Sequence, residues 1–397
     1  MKIIYKFLFV FILSTSVVQA ETHTPLANPL KFSNLDTNQG VVNSSPQAKL
    51  GRALFFDTTL SEPAGIGCVS CHSNPRNAWT DQNKSIPTSR GALGLFGSRN
   101  APTPMYSQYS PALQYNQFDD SYVGGLFWDG RASSLEAQAG GPVLNHLEMN
   151  NSSIASFVAK IRTKYLAQFE FIYGTGALDD DQVAFNYFVK SIAAFERAPV
   201  FNLFTSKYDA YLAGKTALTA TELRGLQAFE SPTKGNCATC HTSRPAADGS
   251  PPLFTDFSYG NLGVPRNPNN PFYKEISINP QGAAWVDNGL GLTTNLASQD
   301  GKFKTPTLRN IAQTGPYMHN GYFDDLPTLI SFLSTREVKQ LCPSIFVTAN
   351  DAVKKRCWPV PEVSRNLDSN VGRLGLTDQD INDITAFLNT LTDGFTK

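Results

Sequence analysis

The stretch IGCVSCHSNPRNAWTDQ, residues Ile66–Gln82, contains two cysteines three positions apart and a histidine directly after the second. The stretch NCATCHTSRP, residues Asn236–Pro245, repeats this C-x-x-C-H pattern. Each cysteine of such a pair can add across a vinyl group of haem, and the histidine is placed to ligate the iron. One copy alone also fits a zinc site or a thioredoxin-like redox pair, whereas two copies favour two covalently bound c-type haems. The predicted attachment cysteines and proximal ligands are Cys68, Cys71 and His72, then Cys237, Cys240 and His241.

Features around the two C-x-x-C-H sites recur in the same order, which indicates a duplicated unit. An apolar-striped helix precedes each site, and an aromatic-Thr-Asp triplet, an Arg-Asn pair and an aromatic-rich turn follow it. The paired segments are KLGRALFFD (49–57) with ELRGLQAFE (222–230), WTD (79–81) with FTD (254–256), SRNAPT (98–103) with TLRNIA (307–312), and FWDGRASSL (127–135) with YMHNGYFDDL (317–326). We therefore interpret the chain as an ancient duplication of a haem-binding unit.

Helical periodicity dominates the rest of the sequence. Apolar residues follow helical spacing from Ile154 to Phe169 and from Ile381 to Leu391, after Thr377 as an N-cap, and residues 181–196 form a further predicted helix. Thr219 and Glu222 stand at capping-box spacing. Segments rich in Pro and Gly, such as 249–271, predict long loops, and strand signals are weak. The predicted fold class is mainly α, with domains at 21–203 and 204–397.

Residues 1–20 have the composition of a secretory signal. Lys2 and Lys6 precede an apolar run from Phe7 to Leu13, and the predicted cleavage site follows Ala20. A membrane anchor is the alternative, but the apolar run is short for a bilayer span. The sequence therefore predicts a periplasmic protein whose mature chain has no membrane span. The formal net charge is zero, and no basic cluster indicates a nucleic-acid partner.

Strong axial ligands are scarce in this chain, which has five histidines and four methionines. An electron carrier usually fills both axial positions of its iron, so this scarcity indicates an open position at one iron or both. The motifs RALFFD, SRNAPT, FWDGRASSLEAQAGGPVLNHLEM and TPTLRNIAQTGPYMHNG, with both C-x-x-C-H sites, resemble the bacterial dihaem cytochrome c peroxidases and their MauG relatives. The resemblance implies two cytochrome c-like domains, a first haem that reacts with hydrogen peroxide, and a second haem that passes electrons.

The same resemblance assigns roles within residues 127–149. Trp128 matches the tryptophan between the two haems, Gln138 and Glu148 match the pair that lines the open face of the first haem, and Pro142 matches a residue beside that iron. Splitting a peroxide bond heterolytically requires a proton to move from one oxygen to the other. A carboxylate in a partly apolar pocket, with its pKa raised, can carry that proton. Glu148 as a solvated carboxylate at a helix end is the alternative.

The resemblance also implies a calcium ion between the domains, held by Asn100, Thr314 and Pro316, two of them through backbone carbonyls. Ligation by oxygen alone suits calcium. Cys342 and Cys357 lie in an insertion, CPSIFVTANDAVKKRC, and in an oxidising compartment they are expected to form a disulfide.

The chain departs from the family at two places. Where the peroxidases often carry a distal histidine, the chain reads SIPTSRG (85–91), which favours the MauG branch. At the position of the sixth ligand of the second haem, a methionine or tyrosine in the family, stands Leu333. Either another residue reaches that iron, with Tyr317, Met318 and Tyr322 nearby in sequence, or the iron is five-coordinate. We expect both irons to be largely high-spin.

Two further histidines remain open from sequence. His146 either hydrogen-bonds within the distal pocket or faces solvent, and His319 matches a family histidine near the haem edges. The sequence as a whole predicts an oxidoreductase that reacts with hydrogen peroxide and takes electrons from a small redox protein or from side chains of a protein substrate, such as tryptophan. A non-catalytic electron-transfer cytochrome or redox sensor is the alternative.

Overall fold

The structure is a computed structural model that describes residues 44–73, 78–81 and 83–396. The predicted signal peptide lies outside these residues. Within them the chain is mainly helical, as predicted, and its strands are short. The α-helices are α1 (Pro46–Phe55), α2 (Cys68–Cys71), α3 (Leu135–Leu144), α4 (Ile154–Tyr173), α5 (Asp181–Glu196), α6 (Lys207–Leu212), α7 (Ala220–Glu230), α8 (Leu290–Thr294), α9 (Leu326–Thr335), α10 (Ala349–Lys354) and α11 (Asp378–Asn389).

Capping side chains define the starts of the long helices. Ser153 and Asp180 accept hydrogen bonds from the backbone of the first turns of α4 and α5, and each bond satisfies a donor that the helix itself leaves unpaired. The capping box of Thr219 with Glu222 at α7 and the N-cap Thr377 at α11 are also present. The predicted helices over 154–169, 181–196 and 377–391 are therefore confirmed, each to within a turn.

Two large apolar cores divide the described part of the chain, beside a small third cluster that includes Leu126 and Leu135. One core is formed by residues between Leu50 and Phe201, and it includes Phe157, Phe188 and Phe195. The other is formed by residues between Tyr208 and Leu391. The predicted domain boundary at 203/204 falls between the two cores, and it stays a prediction.

In each half, the helix before the haem motif crosses a later helix at a glycine. A Cβ at Gly51 of α1 would overlap the carbonyl oxygen of Ser191 in α5, and a Cβ at Gly225 of α7 would overlap that of Asp383 in α11. Because the backbones touch at these points, only glycine fits without displacement. The same crossing in both halves supports the proposed duplication.

The turn before α3 repeats before α9. A bridge joins Leu126 to Ala132 in the first half and Tyr317 to Phe323 in the second, 191 residues further on. The same separation relates Ser134 to Asp325, whose side chains cap α3 and α9. This register makes Pro142 of α3 the counterpart of Leu333 in α9.

One predicted equivalence is wrong. The sequence pairs Arg99-Asn100 with Arg309-Asn310, but the hydrogen bonds pair a different segment with the second one. Thr103 Oγ1 donates to the carbonyl oxygen of Ala78, as Thr307 Oγ1 donates to that of Leu253. Tyr106 and Asn310 both have a φ near 60° and both begin a 3-10 turn. Residues 103–106 are therefore the counterpart of 307–310, and the shared Arg-Asn letters are coincidental.

The described part of the chain contains three two-stranded sheets. Strands β1 (Gln114–Asn116) and β2 (Ser121–Val123) form an antiparallel hairpin. Strands β3 (Tyr259–Gly260) and β4 (Phe303–Lys304) are antiparallel, with Tyr259 opposite Lys304. Strands β5 (Gln340–Leu341) and β6 (Cys357–Trp358) are parallel, and the predicted Cys342–Cys357 disulfide joins them.

A carboxylate close to the end of the chain connects the halves. Asp393 Oδ2 accepts hydrogen bonds from Tyr106 Oη at 2.6 Å and from Asn310 Nδ2 at 2.7 Å. Its Oδ1 accepts from the backbone N–H of Thr205 at 2.8 Å. Among the described residues, no helix combines the length and apolar character that a bilayer span requires.

Candidate haem sites

The first C-x-x-C-H site is built on the single turn α2. The backbone N–H of His72 donates to the carbonyl oxygen of Cys68 at 2.9 Å, which places the imidazole directly after the turn. His72 Nδ1 lies 3.1 Å from the carbonyl oxygen of Trp79. A neutral imidazole that donates from Nδ1 keeps the lone pair of Nε2 for an iron. Burial lowers the pKa of His72, which favours this neutral form.

The second site repeats this arrangement. The backbone N–H of His241 donates to the carbonyl oxygen of Cys237 at 2.8 Å, and His241 Nδ1 lies 2.8 Å from the carbonyl oxygen of Phe254. Trp79 and Phe254 have matching left-handed φ values of 55° and 54°, which turn their carbonyls towards the histidines. The two histidines are thus held by equivalent backbone groups.

All four C-x-x-C-H cysteines are free thiols in the structure. Burial raises the pKa of Cys68, Cys71 and Cys237 to about 12 and that of Cys240 to about 11. A redox-active thiol needs the opposite shift, so this environment does not suit a thioredoxin-like pair. In the described residues, no group of three or more His, Cys, Asp or Glu side chains is placed to hold a metal ion alone.

A cavity opens beside Cys237, Cys240 and His241. Trp128, from the first half, lines it together with His319, Met318 and Leu333. A group bound here would contact residues of both halves.

The Glu148 carboxyl is buried in the first half. Its Oε2 atom is buried without a hydrogen-bond partner, and burial raises the pKa of Glu148 above its ordinary value of 4.5, against the opposing effect of Arg131. The negative charge of Glu148 also contributes to the raised pKa values of Cys68 and Cys71, so the carboxylate and the attachment site are close. An unpaired buried carboxylate oxygen of this kind is a functional-site candidate.

The backbone holds Glu148 in place. Its N–H donates to the carbonyl oxygen of Asn145 at 3.0 Å, and its carbonyl oxygen accepts from the N–H of Ala92 at 2.7 Å. A Cβ at Gly91 would overlap the carbonyl oxygen of Leu147, so the loop approaches this turn as closely as a glycine permits. The position of the carboxylate is therefore set by main-chain contacts.

The other predicted distal residues lie on or beside α3. Gln138 is half-buried, as is Pro142, whose carbonyl oxygen accepts from the N–H of Met149 at 3.1 Å. His146 is exposed, and its Nδ1 lies 2.8 Å from Asn150 Oδ1. Of the two alternatives for His146, the structure supports the solvent-facing one.

Trp128 contacts both halves. Its Nε1 donates to the carbonyl oxygen of Asn100 at 2.8 Å, and its carbonyl oxygen accepts from the N–H of Lys304 at 2.9 Å. Asn100 in turn donates from Nδ2 to the carbonyl oxygen of Pro316 at 2.6 Å. Two of the three predicted calcium ligands are therefore in contact. Thr314, the third, has its hydroxyl 3.3 Å from the carbonyl oxygen of Ile311.

A buried polar network beside Trp128 was not predicted from the sequence. Arg99 bridges Asp129 and Asp287 with N–O distances of 2.6 Å. The His319 ring stacks on Phe303 with centroids 3.6 Å apart. The sequence signal for Arg99 was its place in SRNAPT, whereas Asp287 and Phe303 lie in segments without a recognisable pattern.

Glu196 is a second buried carboxyl that sequence reasoning missed. It ends α5, its Oε2 atom is buried and unpaired, and burial raises its pKa to about 8. Its charge contributes to the raised pKa of Cys68. The available signal was a glutamate next to Phe195, on the apolar side of a predicted helix.

Comparison with known proteins gives consistent matches. A family model described as di-haem cytochrome c peroxidase matches residues 45–217. The methylamine utilization protein MauG of Paracoccus denitrificans is 37% identical over 356 residues, which cover 87% of this chain and 88% of that protein. Cytochrome c551 peroxidase of Nitrosomonas europaea is 35% identical over 280 residues, 70% of each chain. The crystal structure of the diheme peroxidase BthA from Burkholderia thailandensis has a TM-score of 0.74 at 34% identity, covering 91% of this chain and 89% of its own.

Proposed function

The chain belongs to the family of di-haem cytochrome c peroxidases and MauG proteins, and from this premise we propose that it reduces hydrogen peroxide at the haem of its first half and withdraws the electrons from a protein partner. Family membership makes it a di-haem oxidoreductase. The site of peroxide reaction, the electron path and the partner are the parts that we propose.

The cysteines and histidines of the two C-x-x-C-H sites fit two haems. Cys68 and Cys71 would form thioethers to one haem, and Cys237 and Cys240 to the other. The free thiols, the cavity in the second half and the Nδ1 contacts of both histidines support this assignment. Bound haem would supply the iron at which peroxide reacts and the store for the oxidising equivalents.

The unpaired Oε2 of Glu148 carries the proposal. Glu148 takes the proton from one oxygen of hydrogen peroxide and gives it to the other, which leaves as water. Gln138 orients the peroxide from α3. Two electrons and two further protons complete the reduction to a second water. An electron carrier has no use for a buried acid–base group of this kind, so Glu148 favours an enzyme over a carrier or sensor.

The electrons would reach the first haem through the second half. We assign Trp128 as the connecting residue because it contacts both halves and lines the cavity beside His241. The donor is either a small redox protein or the side chains of a protein substrate, tryptophan included. Similarity to MauG over most of both chains supports the second type.

We also propose a calcium ion bound by Asn100, Thr314 and Pro316. The contact between Asn100 Nδ2 and the carbonyl oxygen of Pro316 supports this site, because the two ends of the Asn100 amide are interchangeable by a flip. A flipped amide would direct two oxygens towards one point, which a cation can occupy. Because Asn100 also accepts from Trp128, calcium would stabilise the position of the tryptophan.

Export through residues 1–20 into the periplasm completes the proposal, since covalent haem and the Cys342–Cys357 disulfide both suit that compartment. The test is a peroxide titration of purified protein with two haems per chain, followed by optical and paramagnetic spectra. A long-lived oxidised state without added donor supports the MauG type, and decay that requires a reduced small redox protein supports the peroxidase type. Two bound haems with no spectral change on adding peroxide would overturn the proposal and leave a carrier or sensor.

A further inference from the structure

The cavity of the second half has an apolar wall formed by Leu333, Val371 and Leu374, which all line it. Two main-chain hydrogen bonds hold the wall together: Gly372 N–H donates to the carbonyl oxygen of Leu333 at 2.6 Å, and Leu374 N–H to that of Ser334 at 3.1 Å. The wall belongs to α9 and the segment after Asn370, and thus to elements other than the one that carries His241. It is a fixed surface that faces the same space as the proximal histidine.

The 191-residue separation between corresponding residues of the two halves identifies the first-half residues that correspond to those of α9. Leu333 is the counterpart of Pro142, and the same separation pairs Leu329 of α9 with Gln138 of α3. In the first half this helix supplies an amide and leads into the turn that bears Glu148. In the second half the corresponding positions of α9 are leucines, which neither ligate iron nor transfer protons.

Three charged side chains, Asp368, Glu362 and Lys304, also line this cavity. Asp368 lies close enough to Cys240 to contribute to its raised pKa, so it sits beside the attachment point. Glu362 Oε2 lies 3.9 Å from His319 Nε2. Lys304 Nζ donates to the carbonyl oxygen of Gly125 at 2.9 Å.

Two side chains of the cavity are chemically able to ligate iron besides His241. His319 is fixed by its stacking on Phe303, and its carbonyl oxygen accepts from the N–H of Asn100 at 2.7 Å. Met318 is partly buried against the apolar core of the second half. His319 Nε2 is buried without a hydrogen-bond partner, but neither side chain belongs to the wall formed by Leu333, Val371 and Leu374.

We propose that Leu333 leaves the haem held by Cys237, Cys240 and His241 without a side-chain ligand on its second face, and that this face binds neutral diatomic molecules such as carbon monoxide or nitric oxide. The apolar wall admits a small neutral ligand at little desolvation cost. It provides no acid–base group, so peroxide bond cleavage stays with Glu148. The inference rests on the proposed function for its two haems.

The test is the number of carbon monoxide molecules bound per chain of reduced protein that carries two haems, measured by optical titration. We expect two per chain for the unsubstituted protein. Leu333→Met would supply a thioether ligand, so we expect one per chain and a new low-spin paramagnetic signal in the oxidised protein. Leu326→Met is the matched control, because Leu326 lies on the same helix, buried in the core and not in the cavity lining, and we expect two per chain.

The infrared stretching frequencies of the bound carbon monoxide distinguish the two haems. Gln138→Leu should shift one band, that of the first haem, and leave the other unchanged. One carbon monoxide per unsubstituted chain would overturn the inference, as would a low-spin signal of the second haem that Met318→Leu abolishes. Failure of the proposed function has a different signature: fewer than two haems, or no reaction with peroxide in a protein that binds carbon monoxide at both.

Discussion

The Glu148→Gln variant tests the proton-transfer role of the buried carboxyl. Glutamine has nearly the shape of glutamate, and the turn at Glu148 is fixed by main-chain bonds to Asn145 and Ala92, so the pocket should keep its geometry. The loss is then confined to proton transfer, which contributes about 10²–10⁴-fold in rate. We expect the reaction with peroxide to slow about 10³-fold, equivalent to about 4 kcal/mol in the barrier.

The pH dependence gives the second readout of this variant. Glu148 must be deprotonated to accept a proton, so the rate should fall as pH falls through its pKa. Because burial raises that pKa above 4.5, the decline should begin at a higher pH than for an exposed glutamate. In Glu148→Gln this acid limb should be absent.

Stopped-flow mixing of the oxidised di-haem protein with hydrogen peroxide, across a pH series, measures both effects. Glu136→Gln is the matched control, because Glu136 lies on α3 but forms a surface ion pair with Arg197 at 2.6 Å. It should react at the unsubstituted rate. If Glu148→Gln reacts as fast as the unsubstituted protein, or keeps the acid limb, the assignment of Glu148 is wrong.

Three predictions concern stability, each measured by chemical or thermal unfolding of the haem-loaded protein. Gly225→Ala should lower the free energy of unfolding by about 3 kcal/mol, because the new methyl overlaps a carbonyl oxygen of α11. The control Gly97→Ala has open space at the Cβ position and should leave stability unchanged. Equal effects of the two substitutions would contradict the close helix crossing. Asp209→Asn should lower the free energy of unfolding by about 3 kcal/mol, because it leaves the buried Arg309 guanidinium without its counter-charge at 2.8 Å. A loss below about 1 kcal/mol would contradict the importance of this ion pair. Glu196, with a pKa raised to about 8 from 4.5, favours the folded state fully below pH 4.5, and this contribution is lost as pH rises towards 8. Stability should therefore fall over that range, and Glu196→Gln should flatten the decline; an unchanged decline would contradict it.

Local patterns predicted much of this fold. The helices at 154–169 and 181–196 follow from apolar spacing and capping residues, because those signals depend on near neighbours along the chain. The C-x-x-C-H sites and the Cys342–Cys357 disulfide were also accessible from the sequence. Each of these features has a characteristic residue spacing or composition.

The missed features depend on contacts between distant segments. Glu196 and Asp287 are ordinary acidic residues by sequence, and only the packing around them buries their carboxyls. The mistaken pairing of Arg99-Asn100 with Arg309-Asn310 shows the same limit, because identical letters stood at positions with different hydrogen bonds. The true counterparts became apparent from backbone conformation, which the letters do not encode.

The carboxylate of Asp393 has a practical consequence for work on this protein. It accepts hydrogen bonds from Tyr106 of the first half and from Asn310 of the second. Removing this carboxylate would break both contacts at once and so loosen the first half from the second. Any change at Asp393 therefore calls for a check of the contact between the halves before kinetic measurements are compared.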